Sequence, residues 1–186
     1  MTDSIKYSLV ALGLIVVLFL YNQRSQSSIN INGEPIFTGN DDEIYRILIT
    51  EGDNSIELLR NDTLWDISNA DSFEVKPFQV EKIFNRLLKV EQEMIITTKI
   101  EKWEKFGVDD SLGRHLQIFD ENDNQLIHFI FGNSGQDYQH NYVREEKSND
   151  VYRTNDNVYF LLNTNKTYWA KKISNDEEGI KNNENG

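Results

Sequence analysis

Ile44–Ile67 reads IYRILITEGDNSIELLRNDTLWDI, and its alternation decides the fold. Three short runs, Ile44–Thr50, Ser55–Arg60 and Thr63–Ile67, are separated by Glu51-Gly52-Asp53-Asn54 and by Asn61-Asp62. Apolar residues recurring with period two, bounded by Gly, Asn and Asp, are the pattern of half-buried strands joined by tight turns. Glycine, Asn and Asp supply the left-handed backbone that such turns need and branched residues avoid. The stretch predicts a three-stranded antiparallel meander.

Further along, Arg114–Phe119 and Leu126–Phe131 form a second such unit across Asp120–Asn124. Met94–Thr98, Asn141–Glu145, Val151–Thr154 and Tyr168–Ile173 read as additional strands. Between the two units the period changes. Val80, Ile83, Phe84, Leu87 and Leu88 fall at helical spacing behind Pro77, which suits a first-turn position, while Lys82, Arg86 and Lys89 take the opposite side. Shorter helices are expected over Ile100–Phe106, ending at Gly107, and around Val158–Leu162. Strands grouped around one main helix and one or two short ones specify an α+β fold, a mainly antiparallel sheet of meander and hairpins packed on that helix.

Toward the N-terminus the chemistry is different. Ser8–Leu20 (SLVALGLIVVLFL) carries ten Leu, Ile, Val or Phe residues and no charge. The uncharged run extends from Tyr7 to Gln23, between Lys6 and Arg24. As a helix rising ~1.5 Å per residue it spans roughly 25 Å, against a hydrocarbon core of ~30 Å. Tyr7 and Tyr21 suit interfacial anchors, and Lys6 and Arg24 can snorkel to headgroups. This reads as an N-terminal transmembrane helix. Two rivals are a cleaved signal, with Ser25-Gln26-Ser27 as a small-x-small site, and a buried core helix, although the run is apolar all round rather than on one stripe. Lys6 and the α-amino group favour a cytoplasmic N-terminus, placing the rest outside. The organisation expected is a flank over 1–6, a transmembrane signal anchor over 7–23, a juxtamembrane linker over 24–40, an extracytoplasmic α+β domain over 41–173 and an acidic, disordered tail over 174–186. Within the linker, Ile29, Ile31 and Ile36-Phe37 can pair as an edge strand.

The formal net charge of −12 opposes nucleic-acid binding, which needs Lys and Arg to displace phosphate counterions. With no cysteine there is no disulfide and no thiolate metal site. Asp120-Glu121-Asn122-Asp123-Asn124 opens like an EF-hand loop, but Gln125 stands where glycine is required and Phe131 where a bidentate Glu is required. A polar hairpin turn is the better account. His115 and His128 should share one face of their hairpin, yet zinc needs a third ligand, and neither Asp120 nor His140 supplies it convincingly. They read as surface residues. Gly132-Asn133-Ser134-Gly135 lacks the Lys and following helix of a phosphate cradle and reads as a flexible loop. Asp109-Asp110 reads as an exposed turn rather than an acid–base pair. Trp65, Trp103 and Trp169 read as core or half-core residues. No catalytic, cofactor-binding or metal-ligating residue is assigned, and no cofactor is expected.

Leu64-Trp65-Asp66-Ile67, the helix Val80–Leu88, Phe106-Gly107-Val108-Asp109, Phe131-Gly132, Tyr142-Val143-Arg144, Val151-Tyr152-Arg153 and Tyr168-Trp169 occur here in one succession. In that order of features the chain resembles the bacterial domain of unknown function family 4340, over roughly Ile44 to Ile173. The resemblance implies a single-pass anchored chain with an extracytoplasmic α+β domain. Some such proteins accompany ABC-type transport or gliding systems, which implies a partner-binding role and carries over no catalytic residue. The expectation is a membrane-tethered, non-catalytic interaction domain of the bacterial cell envelope, in contact with the membrane and with an envelope or transporter protein. The alternative is a ligand-binding or sensory domain with a pocket between the sheet and helix Val80–Leu88. A third, an envelope hydrolase using Asp109, Asp110 or Glu104, has no spaced carboxylate pair behind it.

Overall fold

The sheet starts inside the stretch read as linker. In the computed structural model, which describes residues 7, 11–20, 30–135 and 138–173, β1 (Asn30–Pro35) pairs antiparallel with β6 (Glu91–Thr97), and Ile36 behind it is buried. The expected meander follows as β2 (Arg46–Glu51), β3 (Asn54–Asn61) and β4 (Leu64–Ile67). Its turns place Gly52 and Asp62 at φ 55° and 57°, the left-handed backbone that the Gly and Asp in those positions supply. In register, Ile47 faces Leu58 and Ile49 faces Ile56, all four buried, while Arg46, Leu48 and Thr50 alternate to the other face.

From β4 the chain passes through a short strand, β5 (Phe73–Val75), to α1 (Pro77–Lys82) and a π-helical turn over Ile83–Leu87, then to β6. The second unit is β7 (Arg114–Phe119), β8 (Gln125–Ser134), β9 (Asn141–Glu145) and β10 (Val151–Thr154). One nine-stranded sheet results, in the order β1-β6-β10-β9-β8-β7-β2-β3-β4, with antiparallel neighbours throughout. This order explains the helix. Because β4 and β6 lie toward opposite ends of the sheet, the segment joining them must cross one of its faces. It does so with Val80, Ile83, Leu87 and Leu88 buried against the strands. The Leu88 amide donates to the Ile83 carbonyl at 2.9 Å, the five-residue spacing of a π turn. Helical periodicity does not encode that widening.

The last segment lies on the same face. A 3₁₀ turn over Tyr159–Leu161 buries Leu161 beside Val158 and Leu162. The strand expected over Tyr168–Ile173 begins later. α3 (Lys166–Trp169) comes first, because Asn165 caps it by accepting from the Thr167 amide at 2.9 Å, and β11 (Ala170–Lys172) then pairs with β5 as a separate two-stranded ribbon. On the opposite face, α2 (Trp103–Phe106) and the chain after it cover Ile130 and Val151. Gly107 ends α2 at φ 64°, the C-terminal signal read from the sequence.

Residues 11–20 are helical, and eight large apolar side chains there, from Leu12 to Leu20, are 49–66% exposed. Among the described residues no helix is long and apolar enough to cross a membrane. The remainder of the expected anchor and the tail over 174–186 lie outside the described residues.

Candidate functional site

A cleft of about 590 Å³ opens where β4 ends the large sheet. Its inner wall is aromatic. Trp65 and Phe84, both half-buried, meet with ring centroids 5.8 Å apart, and Val80 and Val75 continue the surface. Three elements place these groups. Alternation on β4 turns Trp65 and Ile67 inward and leaves Leu64 outward at 66% exposed. The first turns of the crossing helix bring Val80, Glu81 and Phe84 to the rim, and β5 supplies Phe73, Glu74 and Val75. Asp66, Asp71, Glu74 and Glu81 stand around the opening. Its one arginine, Arg60, donates to the Asp42 carbonyl at 3.0 Å and lies over Tyr45 and Trp65. This is the place, between sheet and helix Val80–Leu88, where the sequence puts a ligand pocket.

The residues with the most reactive look gather elsewhere, on the other face of β7–β9. Arg144 is 1% exposed and stacked on Trp103, its guanidinium carbon 3.7 Å from the ring centroid. It donates to the carbonyls of Val108, Glu145, Glu146 and Ser148 and pairs with Asp110 at 2.6 Å. One buried side chain thereby fastens two turns. Asp109 accepts from the Ser111 amide and hydroxyl and from the Leu112 amide through Oδ1. Partial burial pushes its carboxyl up, but those hydrogen bonds outweigh it and leave the pKa below the ordinary range. A general acid needs the opposite shift. Asp109 thus serves as a turn acceptor, Asp110 as an ion-pair partner, and Glu104 stands exposed on α2.

His115 and His128 do share a face, and more closely than surface residues: Nδ1 of His115 lies 2.9 Å from Nε2 of His128. His115 Nε2 is 3.1 Å from the Asp110 carbonyl. Burial, and then the neighbouring His115, hold His128 below the usual histidine pKa. Their half-burial under Asp110 is the correction to the surface reading. Among the described residues no three His, Asp, Glu or Cys side chains are grouped to hold a metal. His140 is apart, with Nδ1 2.7 Å from the Thr154 carbonyl.

Asp120 is the acceptor of a polar hairpin turn, as expected: Oδ1 takes the Asn122 and Asn124 amides and Oδ2 the Asn124 side chain. Gly132, Asn133 and Ser134 belong to β8 and are not a loop. A Cβ on Gly132 would stand 1.9 Å from the Phe106 carbonyl oxygen, so glycine there permits β8 to pass beneath α2. Trp169 is core, while Trp65 and Trp103 are half-buried, as read.

From the sequence, Arg60, Leu64, Asp71 and Phe73 do not stand out as a group, and Arg144 appears only within Tyr142-Val143-Arg144, with no role of its own. Arg144 left a signal, a cation one residue from Val143 in an alternating strand. The cleft residues left none, since long-range pairing assembles them.

Comparison with known families adds one match. Residues 65–181, more than half of the chain, match the model described as Domain of unknown function (DUF4340). The chain belongs to the DUF4340 family. The DUF4340 match begins on β4, later than the resemblance from Ile44, and takes in Trp65, Phe84 and Arg144. Strands β1–β3 precede it, although β2 is bonded between β3 and β7. No curated protein and no solved structure matches the chain.

Proposed function

We propose that this DUF4340 chain is a membrane-tethered, non-catalytic interaction domain of the bacterial cell envelope, docking a partner protein at the β4 cleft. Its role is accessory to an ABC-type transport or gliding system. The observation that carries the reading is the cleft itself, an aromatic wall beside a sheet edge that has no further hydrogen-bonded strand among the described residues. Hot spots in interfaces are commonly such half-open aromatic seats. The polar cluster around Arg144 is directed mostly inward, with Arg144 on four carbonyls and Asp110, and Asp109 Oδ1 on its own turn.

Tethering is supported by the apolar helix over residues 11–20, whose large apolar side chains are all exposed. Uncharged sequence continues on both sides of it, to Tyr7 and Gln23. A tether raises the effective concentration toward another membrane protein, so a weak contact suffices. Orientation follows Lys6, with the domain extracytoplasmic. The sensory alternative uses the same cleft, whose volume lies within the ~300–1,000 Å³ of small-ligand sites. The free strand beside it favours a polypeptide.

A photo-crosslinking residue at Leu64, which lines the cleft, or at Phe78, exposed in the first turn of the helix whose Pro77 and Val80 line it, tests the reading against one at Glu121 in the β7–β8 turn. In native membranes the first two positions should capture the same membrane protein and Glu121 should not. Capture of no protein from Leu64 or Phe78, or identical capture from all three, overturns it.

A further inference from the structure

The edge of β4 narrows what the cleft can hold. In the β3–β4 hairpin, Asn61 faces Leu64 across a two-residue turn and Leu59 faces Asp66. Antiparallel pairs alternate between bonded and non-bonded, and the Ser68 amide donates to the Glu57 carbonyl, which sets the phase. The N–H and C=O of Trp65 and Ile67 therefore point away from β3, and neither residue's backbone is hydrogen-bonded among the described residues. Side chains on the same two residues point into the core and the cleft wall. At Trp65, which lines the cleft, a backbone donor and acceptor thus stand beside an apolar wall. Ile67, 6% exposed, continues the same unbonded edge at its buried end, an arrangement that receives a short added strand.

Charge selects among extended segments. Asp71 and Glu81 have no cationic partner among the described residues, Asp66 is held only by the Asn61 amide, and Glu74 pairs with Lys171. Arg60 is committed to the Asp42 carbonyl and two rings. The rim is therefore net acidic. Ile173, the last described residue, lines the cleft, but the residues after it in the sequence, 174–186, carry Asp176, Glu177, Glu178 and Glu184 against Lys181, the same sign as the rim. They are poorly matched to it.

We infer that the β4 cleft binds an extended partner segment alternating apolar with Lys or Arg residues, which adds to β4 as an edge strand. Its apolar side chains rest on Trp65 and Phe84, and its cations meet Asp66, Asp71 and Glu81. This rests on the docking reading above and names the chemistry of the docked segment.

The test uses the full chain in detergent micelles and capped hexapeptides in which Lys alternates with Val, Ile, Phe or Tyr. Binding is followed by tryptophan fluorescence and by amide exchange over residues 64–67. Lys peptides should bind saturably and protect Trp65 and Ile67, and Glu-for-Lys twins should bind at least about tenfold more weakly, about 1.4 kcal/mol. N-methylating alternate amides along one peptide edge should abolish binding, and along the other edge should leave it unchanged. Exchanging both Asp71→Lys and Glu81→Lys, exposed positions outside the core, should reverse the charge preference. No saturable binding across the library, equal binding of Lys and Glu peptides, or indifference to both N-methylation patterns overturns strand addition. Failure here with specific crosslinking from Leu64 leaves the docking reading standing. Peptide binding with no crosslinked protein in membranes removes the docking role and keeps the chemistry of the cleft.

Discussion

The two polar regions of the domain invert what their residues suggest. The cluster on β7–β9 contains the histidine pair, adjacent aspartates and a buried arginine, the usual vocabulary of catalysis. Most of those groups are spent internally: Arg144 on four carbonyls and Asp110, Asp109 through Oδ1 on its own turn, and the histidines on each other. Asp109 Oδ2 is the exception, buried without a partner among the described residues. The β4 cleft contains ordinary residues, yet leaves backbone groups and two carboxylates without partners among the described residues. Saturated polar networks hold a fold together, and unsaturated ones bind. Composition does not distinguish the two, but partner accounting does.

The sharpest way to break this contrast is to remove Arg144. Arg144→Met leaves four carbonyls without their donor in a buried site and unfastens the turns at Val108 and Ser148. Losing one side of a buried charged network costs about 3–5 kcal/mol, which urea denaturation will read as a lower midpoint. A loss under about 1 kcal/mol would mean the cluster is not structural, and the contrast fails. Next in size is Gly132→Ala, where the new methyl meets the Phe106 carbonyl and forces β8 and α2 apart. Overpacking of this kind costs about 1–3 kcal/mol in the same assay.

Much of this fold was legible because its elements are local. The meander, the Asp120 turn and the Gly107 helix end all announce themselves within six or seven residues. Pro77 at the first turn of α1 and the shared face of His115 and His128 follow from period alone. What escaped depends on distance. The edge-strand character of β1 was visible inside the linker, but not its partner β6, which lies some sixty residues away. The Gly132 segment reads as a loop because the carbonyl that demands glycine belongs to α2. Of the site, Trp65 and the helix side of the pocket were visible, but Phe73 and Asp71 join them only once β5 pairs with β11.

On the cleft side the expected damage is smaller. Trp65→Ala removes a half-buried ring and its contact with Phe84, costing about 1–2 kcal/mol in the urea assay. The larger consequence should be loss of crosslinking from Leu64. If Trp65→Ala destabilises as much as Arg144→Met, the cleft wall is core rather than a seat, and the two regions no longer differ.

The smallest effect is a pH dependence located in the histidine pair. Burial, reinforced by His115, depresses the folded pKa of His128, so the unfolded chain takes up this proton first as pH falls. Between the unfolded value of about 6.5 and the lower folded value, the unfolded state binds more protons, and stability rises with pH. The stabilising contribution is fully present above about 6.5 and is lost as pH falls through the folded pKa. The carboxylates of Asp109, Asp120 and Asp156, also held low in the fold, have unfolded values of about 3.9 and exchange protons mainly below about pH 5, which leaves this window clear. Thermal midpoints should decline from pH 7 to pH 5 in the native chain and decline less in His128→Gln, whose amide can still reach His115. An identical slope in both would show that His128 is hydrated and free to protonate, and would return the pair to the surface.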